Sequence, residues 1–175
     1  MENNSLLHTD KELAEMYQRN INMVYKLCYI YLKNAVDAED AVQSVFLKLL
    51  KSHMVFNDDE HEKAWFIMTT KNHCKDMLKS WWKRQRVDFD TLPEVSSWNS
   101  DAQTGEVLAK LLELPEKYKV VLFLYYFEDY SVKEISELLG RKESTIQSQL
   151  HRGRERLKID LGGKYLGKEQ PKGAI

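Results

Sequence analysis

The chain has 175 residues, of which 43% are hydrophobic and 30% charged, and its formal net charge is −1. This composition is typical of a soluble globular protein of one or two domains, and it argues against a chain that is basic throughout and binds nucleic acid over its whole surface. The longest apolar run, at 120–127, is too short to cross a bilayer, and residues 1–10 lack the features of a secretion signal. We therefore expect a cytoplasmic protein without membrane insertion.

The charges are distributed in blocks along the chain. Residues 71–86 carry six Lys and Arg against one acidic residue, and residues 131–175 carry ten against six, whereas the remaining segments are acidic. Two basic islands in an acidic chain indicate two separate contacts with a polyanion. The two cysteines, Cys28 and Cys74, have no zinc-type spacing, so we expect buried thiols, no metal and no cofactor.

The first 86 residues contain neither glycine nor proline, and they predict three long helices. A capping box formed by Thr9 and Glu12 opens the first helix, the second runs over 37–52, and the third over about 60–86. Their apolar stripes can form one small core. The first helix should bury Leu13, Met16, Tyr17, Ile21, Val24, Leu27, Cys28 and Tyr31.

One residue of the second helix does not fit the pattern of its neighbours. At roughly 100° per residue, Leu47 lies about 140° from Val42, which belongs to the apolar stripe. Leu47 thus falls on the polar face beside Asp40 and Gln43. A single exposed leucine is common on soluble proteins, so the helix alone leaves open whether Leu47 is an ordinary surface residue or part of an interface.

The third helix has a basic outer face. Lys71, Lys75 and Lys79 follow one another at four-residue spacing, with Asn72 beside them and Trp65 on the same side. Lysines neutralise phosphates and an indole ring stacks on unpaired bases, so this pattern predicts contact with single-stranded nucleic acid. The alternative is a solvated charged helix with a half-buried tryptophan.

Residues 87–104 lose helical periodicity and are rich in Asp, Ser and Thr, which predicts an acidic linker. Helices resume at 105–114 and again after Pro115, which we expect in a first helical turn. The tail, 163–175, contains several glycines and is expected to fray.

The C-terminal segment has the spacing of a helix-turn-helix. A capping box of Ser131 and Glu134 opens a short helix, Gly140 lies in the turn, and the last helix extends over 143–160. Gly153 lies on the inward stripe of that helix, where its low helix propensity suggests close packing against a neighbouring helix.

The outward face of the last helix carries side chains that can read base edges in a major groove. These are Ser144, Thr145, Gln147, Ser148 and Arg152. Arg141, Lys142 and Arg154 flank them, where they could contact phosphates. The alternative is a solvated helical hairpin that binds no DNA. A helix-turn-helix also occurs in many transcription regulators, so by itself it does not identify the protein.

Three stretches, taken in order, resemble the bacterial RNA polymerase sigma factors of the extracytoplasmic-function (ECF) type. They are DAEDAVQSVFLKLL at 37–50, AWFIMTTKNHCKDMLKS at 64–80, and LPEKYKVVLFLYYFEDYSVKEISELLGRKESTIQSQLHRGRERLK at 114–158. The chain departs from the family pattern at Ser44, where an acidic residue is usual, and at Gly153, where alanine is expected.

The resemblance implies an all-α fold of two small helical domains joined by the acidic linker. Residues 1–86 would form sigma region 2, a three-helix module for polymerase docking, −10 recognition and melting. Residues 87–104 would be the linker, 105–162 region 4 with its helix-turn-helix for the −35 element, and 163–175 the tail.

The resemblance also implies partners and roles. The partners are promoter DNA, an anti-sigma factor and core RNA polymerase, contacted at its β′ coiled coil and β flap. Asp40, Gln43 and Leu47 would dock on the coiled coil. The segment 57–63 would line a pocket for a flipped base, and Trp65 would pack at the upstream edge of the bubble. The single strand of the −10 element would contact Asn57, Trp65, Lys71, Asn72, Lys75 and Lys79.

Two other functions compete with a sigma factor. A helix-turn-helix regulator acting as a dimer would bind palindromic sites without polymerase, but it leaves the basic face of the third helix and Leu47 without a role. An enzyme would need a set of reactive residues, and the sequence has no paired carboxylates in a plausible cleft and no phosphate-binding glycine loop. We therefore expect no enzymatic activity.

Overall fold

The computed structural model describes residues 8–84 and 102–157, with side chains for 8–81 and 107–157. These ranges contain no strand and seven helices: α1 (Asp10–Leu32), α2 (Ala35–Lys51), α3 (Asp59–Arg84), α4 (Ala102–Glu113), α5 (Glu116–Tyr126), α6 (Val132–Leu139) and α7 (Glu143–Leu157). The chain divides into two compact units, α1–α3 and α4–α7. The predicted all-α class with two helical units is therefore confirmed. Within the described ranges, no helix has the length and apolarity that a membrane span requires.

Some predicted features lie outside the described residues: most of the linker, the ends of the third and last helices beyond residues 84 and 157, and the tail at 163–175. The predicted linker extended to residue 104, but α4 already begins at Ala102. The predicted start at 105 was therefore three residues late. The helix continues through Gly105, which helices tolerate at a cost of about 1 kcal/mol relative to alanine.

The start of α1 and the turn into α2 are fixed by local hydrogen bonds. The predicted capping box is confirmed: the Thr9 N–H donates to Glu12 Oε2 at 2.7 Å, and the Glu12 N–H donates to Thr9 Oγ1 at 3.2 Å. Asn34 caps α2 by accepting the Asp37 N–H at 3.1 Å. The predicted start of α2 at Asp37 was therefore two residues late, because Asp37 lies in the first turn and not at the cap.

The three helices of the first unit pack around one apolar core that includes the fully buried Val24, Val45 and Phe66. Tyr17, predicted to face inward, is 42% exposed, and its ring centroid lies 4.7 Å from that of Phe46. It therefore covers the edge of the core and does not enter it.

Both cysteines are buried in this core, as predicted, Cys28 on α1 and Cys74 on α3. A side-chain hydrogen bond with Cys74, together with burial, raises the pKa of the Cys28 thiol. A thiol held in its protonated form is a poor nucleophile, so Cys28 belongs to the packing of the unit together with the buried Cys74.

In the second unit, α5 is the central helix, and its residues from Tyr118 to Leu124 are all buried. Pro115 is the residue before α5 and does not lie inside the first turn as predicted. The predicted close packing at Gly153 is confirmed, since a Cβ atom there would lie 2.8 Å from Leu122 Cδ1 and 3.4 Å from Tyr118 Cβ. α7 therefore crosses α5 so closely that any larger side chain at position 153 would clash with Leu122 unless one of the two moved.

The helix-turn-helix geometry is also as predicted. The Ser131 N–H donates to Glu134 Oε2 at 2.7 Å, and the Glu134 N–H donates to Ser131 Oγ at 3.3 Å, which completes the capping box of α6. Gly140 ends α6 in the left-handed region at φ 64°, a conformation that costs glycine little. The Arg141 N–H then donates to the Ser136 carbonyl at 3.0 Å and turns the chain toward α7.

Candidate functional surfaces

The outer face of α2 carries more exposed apolar surface than the sequence analysis identified. Leu47 is 51% exposed, and Val36 and Leu50 are 67% and 49% exposed. At roughly 100° per residue the three side chains lie within about 60° of one another. Asp40 and Gln43 are exposed on the same face. We call these five residues the α2 face, an apolar strip with polar neighbours.

Sequence reasoning missed Val36 and Leu50 for a simple reason. The predicted helix began at Asp37, so Val36 fell outside it, and Leu50 was not assigned to a face. With the helix beginning at Ala35, a helical projection places both residues beside Leu47.

The basic face of α3 is present but is not a row of free cations. Asn72 and Lys79 are exposed, whereas Lys71 and Lys75 are half-buried. Lys79 Nζ lies 3.7 Å from Asp76 Oδ1, and both side chains are solvent-exposed. Lys71 Nζ donates to Met68 Sδ at 3.6 Å. An exposed ion pair of this kind is weak, so a phosphate group can replace Asp76 as the partner of Lys79.

Trp65 does not project freely from α3 as predicted. It is half-buried, and its ring centroid lies 5.8 Å from that of Phe56 and 5.2 Å from that of Phe66, both in edge-on arrangements. The helical projection placed Trp65 on the polar side because it did not include the loop that folds over it. Trp65 therefore links the loop before α3 to the core.

That loop, residues 53–58, is held at several points. His8 Nε2 donates to the Met54 carbonyl at 2.5 Å, and the His8 ring stacks on Phe56 with centroids 6.4 Å apart. The Asn57 N–H donates to His61 Nδ1 at 3.3 Å, while the Asn57 side chain is exposed. The loop thus presents Asn57 to solvent from a fixed backbone.

Glu62 does not line a surface pocket, contrary to the prediction for the segment 57–63. It is 4% exposed and points into the unit, where its carboxylate accepts hydrogen bonds from Arg19 Nη2 at 2.8 Å and Asn20 Nδ2 at 2.5 Å. An unpaired carboxylate at this position would be costly to bury, and the two α1 side chains satisfy it. The fully exposed residues of the segment are those at 57–60, while His61 and Lys63 are half-buried.

The outward face of α7 is arranged as predicted. The five predicted base-reading residues, Ser144, Thr145, Gln147, Ser148 and Arg152, are all exposed. The three residues predicted to contact phosphates differ in how accessible their charged groups are to a ligand. Lys142 is exposed, Arg154 Nη1 donates to the Tyr126 hydroxyl at 3.3 Å, and Arg141 Nη1 donates to Gln149 Oε1 at 3.1 Å. Arg141 is half-buried and therefore the least free of the three.

A cavity of about 290 Å³ lies between the start of α5 and the outward face of α7. Its lining includes Lys117 and Tyr118 from α5 and Ser148 and Arg152 from α7. Sequence analysis missed Lys117 because it belongs to an acidic stretch of the chain. Only the packing of α5 against α7 brings this lysine next to the predicted base-reading residues.

Three cations surround Tyr118. Lys117 Nζ and Arg156 Cζ lie 5.0 Å and 5.2 Å from the centroid of its ring. Burial by itself raises the pKa of the Tyr118 phenol, but the charges of Lys117 and Arg156 and hydrogen bonds from Lys117 and Arg152 outweigh it, so the pKa lies below its ordinary value. The cavity therefore has a positive potential suited to an anion.

Among the residues that the structure describes, no group of three or more His, Cys, Asp or Glu side chains is placed to hold a metal ion. The candidate surfaces carry cations, amides, hydroxyls and apolar side chains, with one carboxylate, that of Asp40, on the α2 face. These groups bind macromolecules through charge, hydrogen bonds and packing.

Two family models match the chain in order. The model described as Sigma-70 region 2 matches residues 16–84, which contain most of α1 and all of α2 and α3. The model described as Sigma-70, region 4 matches residues 104–157, which contain α5, α6, α7 and nearly all of α4. The two matches therefore coincide with the two helical units.

Individual proteins match over most of the chain. RNA polymerase sigma factor SigV of Bacillus subtilis is 32% identical over 138 residues, which cover 78% of this chain and 83% of that protein. ECF RNA polymerase sigma factor SigW of the same organism is 25% identical over 170 residues, covering 86% and 87%. The sigma factor RpoE, solved in complex with the anti-sigma factor NepR from Bartonella quintana, shares the fold, with a TM-score of 0.69 at 15% identity over 91% of this chain and 99% of that one.

Proposed function

Because this chain belongs to the ECF group of RNA polymerase sigma factors, which direct promoter-specific transcription initiation, we propose that its two helical units divide that task. The first unit, which we assign to residues 1–86, docks on core polymerase and captures the melted −10 element. The second, residues 102–162, begins with α4 and reads the −35 element as duplex. Residues 87–101 link the two units, and 163–175 form a tail. A dimeric regulator that works without polymerase is not favoured, since its N-terminal half would have no reason to match region 2.

The α2 face is the observation that carries the docking proposal. Protein interfaces combine apolar anchors with polar side chains, and here Leu47 and Leu50 lie one turn apart on the α2 face, with Asp40 and Gln43 between them and the exposed Val36. Three exposed apolar side chains on one helix face add nothing to the core of the unit. We assign this face to the coiled coil of the polymerase β′ subunit.

The loop 53–58 and the basic face of α3 form the proposed −10 site. Asn57 is exposed at the loop and can form hydrogen bonds with a flipped base. Asn72, Lys75 and Lys79, with Lys71 at their edge, follow the phosphates of the unpaired strand. Trp65, held edge-on by Phe56, supports the loop and offers its exposed edge to the upstream end of the bubble.

The outward face of α7 forms the proposed −35 site. Gln147 and Arg152 have long side chains that can donate hydrogen bonds to base edges. The hydroxyl side chains in the first turns are short, so they allow the helix to approach the groove. We assign Lys142, Arg154 and the cavity beside Lys117 to backbone phosphates, because phosphate contacts fix the register of a recognition helix. Arg141 contributes less, since its guanidinium already donates to Gln149.

The remaining partners follow from the family. We propose that the second unit also contacts the polymerase β flap. The RpoE structure contains an anti-sigma factor, and we propose that such a partner holds this chain by covering the same surfaces. The protein then acts in the cytoplasm, where core polymerase is found, by recruitment and melting, without covalent chemistry of its own.

The docking proposal is tested by Leu47→Glu in the full chain. A charged side chain at the centre of an apolar interface should weaken the affinity for purified core polymerase about thirtyfold, which corresponds to about 2 kcal/mol. Affinity is measured by competition against a labelled wild-type chain. Because Leu47 is half exposed, the thermal midpoint of the free protein should stay unchanged.

Ala14→Glu provides the matched control, since it adds the same charge at an exposed position of α1, away from the α2 face. This variant should bind core polymerase like the wild type. Equal affinity of the Leu47→Glu and Ala14→Glu proteins would remove the α2 face from the docking surface.

A further inference from the structure

An ionic contact between the half-exposed Arg19 and the buried Glu62 joins α1 to the first turn of α3. Glu62 Oε1 and Oε2 accept hydrogen bonds from Arg19 Nε at 3.3 Å and Arg19 Nη2 at 2.8 Å, while Asn20 Nδ2 donates to Glu62 Oε1 at 2.5 Å. Asn20 Nδ2 also donates to the Met16 carbonyl within α1 at 2.9 Å. We call Arg19, Asn20 and Glu62 the polar lock.

Stability alone does not account for the polar lock. Taking a carboxylate out of water costs several kcal/mol, and apolar residues of similar volume are often equally or more stabilising at such sites. Two hydrogen bonds from one guanidinium to one carboxylate do, however, fix the orientation and the register of the two helices that carry these groups. Apolar packing is less directional and does not fix them in this way. The lock therefore sets where the first turn of α3 lies along α1.

That first turn carries the loop 53–58. The Glu62 N–H donates to the Asp58 carbonyl at 3.1 Å, and Asp58 Oδ1 accepts the His61 N–H at 2.7 Å. His61 Nδ1 in turn accepts the Asn57 N–H. A short chain of hydrogen bonds thus leads from the backbone of Glu62, whose carboxylate the lock holds in place, to the exposed Asn57.

We infer that the polar lock positions the loop 53–58 for capture of an unpaired promoter base, and that Glu62 is a positioning residue for promoter melting. This inference rests on the proposed function of the first unit. A loop whose backbone is already held in its binding conformation loses less entropy when it captures a base. Without the lock, the same loop samples other positions, and capture of the base weakens.

The test uses the full chain assembled with core polymerase. The probe is a fluorescent single-stranded oligonucleotide that the wild-type holoenzyme selects from a randomised pool. The variant Arg19→Met/Asn20→Leu/Glu62→Met fills the site with apolar side chains and removes the directional bonds. We expect it to retain the wild-type unfolding midpoint and polymerase affinity, and to bind the oligonucleotide about tenfold more weakly.

A second pair of variants covers the case in which the triple variant does not fold. Arg19→Gln removes the ion pair from its half-exposed side and leaves the Asn20 bond, so it should weaken oligonucleotide binding about threefold. Arg19→Lys restores the charge without the forked geometry and should recover part of that loss.

The control is Lys11→Gln, which, like Arg19→Gln, removes one positive charge from α1 but at an exposed position outside the lock, and it should change nothing. Wild-type oligonucleotide affinity in both the triple and the Arg19→Gln holoenzymes would overturn the role of the lock. If the wild-type holoenzyme selects no oligonucleotide at all, the proposed −10 function itself fails, which is a different result.

Discussion

His73 lies on α3 beside the proposed strand-binding face, and its imidazole is half-buried. Burial and the positive charge of Lys48 lower the pKa of His73 below its ordinary value of 6.5, and the charge of Asp76 opposes them only in part. The folded protein therefore keeps this imidazole neutral at a pH where the unfolded chain already begins to take up a proton.

This environment predicts a pH dependence of stability. Between pH 6.5 and the lower pKa of the folded state, the unfolded chain binds more protons, so the free energy of unfolding falls as the pH is lowered through this window. His73→Gln should make that fall shallower, as measured by urea unfolding between about pH 7 and about pH 5. An unchanged slope in the His73→Gln protein would contradict the assignment.

Residues whose role depends on distant partners are the ones that sequence reasoning misses. Glu62 belongs to a run of acidic residues at the start of α3, and its partner Arg19 lies 43 positions away, so no local pattern pairs them. Lys117 is likewise brought to the outward face of α7 only by helix packing. Leu47, in contrast, was identifiable because an apolar residue on a polar face departs from a local period.

At the scale of helices, local chemistry explains which boundaries were predictable. Both capping boxes join residues three positions apart, so their sequence signature is sufficient. The start of α2 was missed because Asn34 caps it directly after the left-handed Lys33, which leaves almost no loop to recognise. The burial of every residue of α5 from Tyr118 to Leu124 was not predicted either, since a continuous apolar run has no period from which to infer a face.

The crossing of α5 and α7 at Gly153 gives a prediction about packing. A leucine at this position has no room beside Leu122 and Tyr118, so Gly153→Leu should force the helices apart and destabilise the protein by about 2 kcal/mol. Urea unfolding followed by helical circular dichroism measures the change.

Glu155→Leu is the matched control for this substitution, because it places the same side chain at an exposed position of α7. It should shift the free energy of unfolding by no more than about 0.5 kcal/mol. If the two leucine variants unfold at the same urea concentration, the close approach of α5 and α7 does not limit the residue at position 153.

At the scale of the whole molecule, the near-neutral net charge suits a protein whose two units bind DNA together. Neither unit needs high affinity for DNA by itself, because attachment to the polymerase raises the effective concentration of each near its promoter element. The basic islands at 71–86 and 131–175 then each attract DNA phosphates at one promoter element. The acidic remainder of the chain limits non-specific binding to DNA.

The most direct test of this account is run-off transcription with purified core polymerase on a pooled promoter library, with and without the full chain. We predict new, discrete start sites preceded by a shared motif of two separated elements, and loss of these starts with the Leu47→Glu variant. The absence of new starts, together with duplex binding by the protein alone as a dimer, would contradict promoter recruitment and melting as its function.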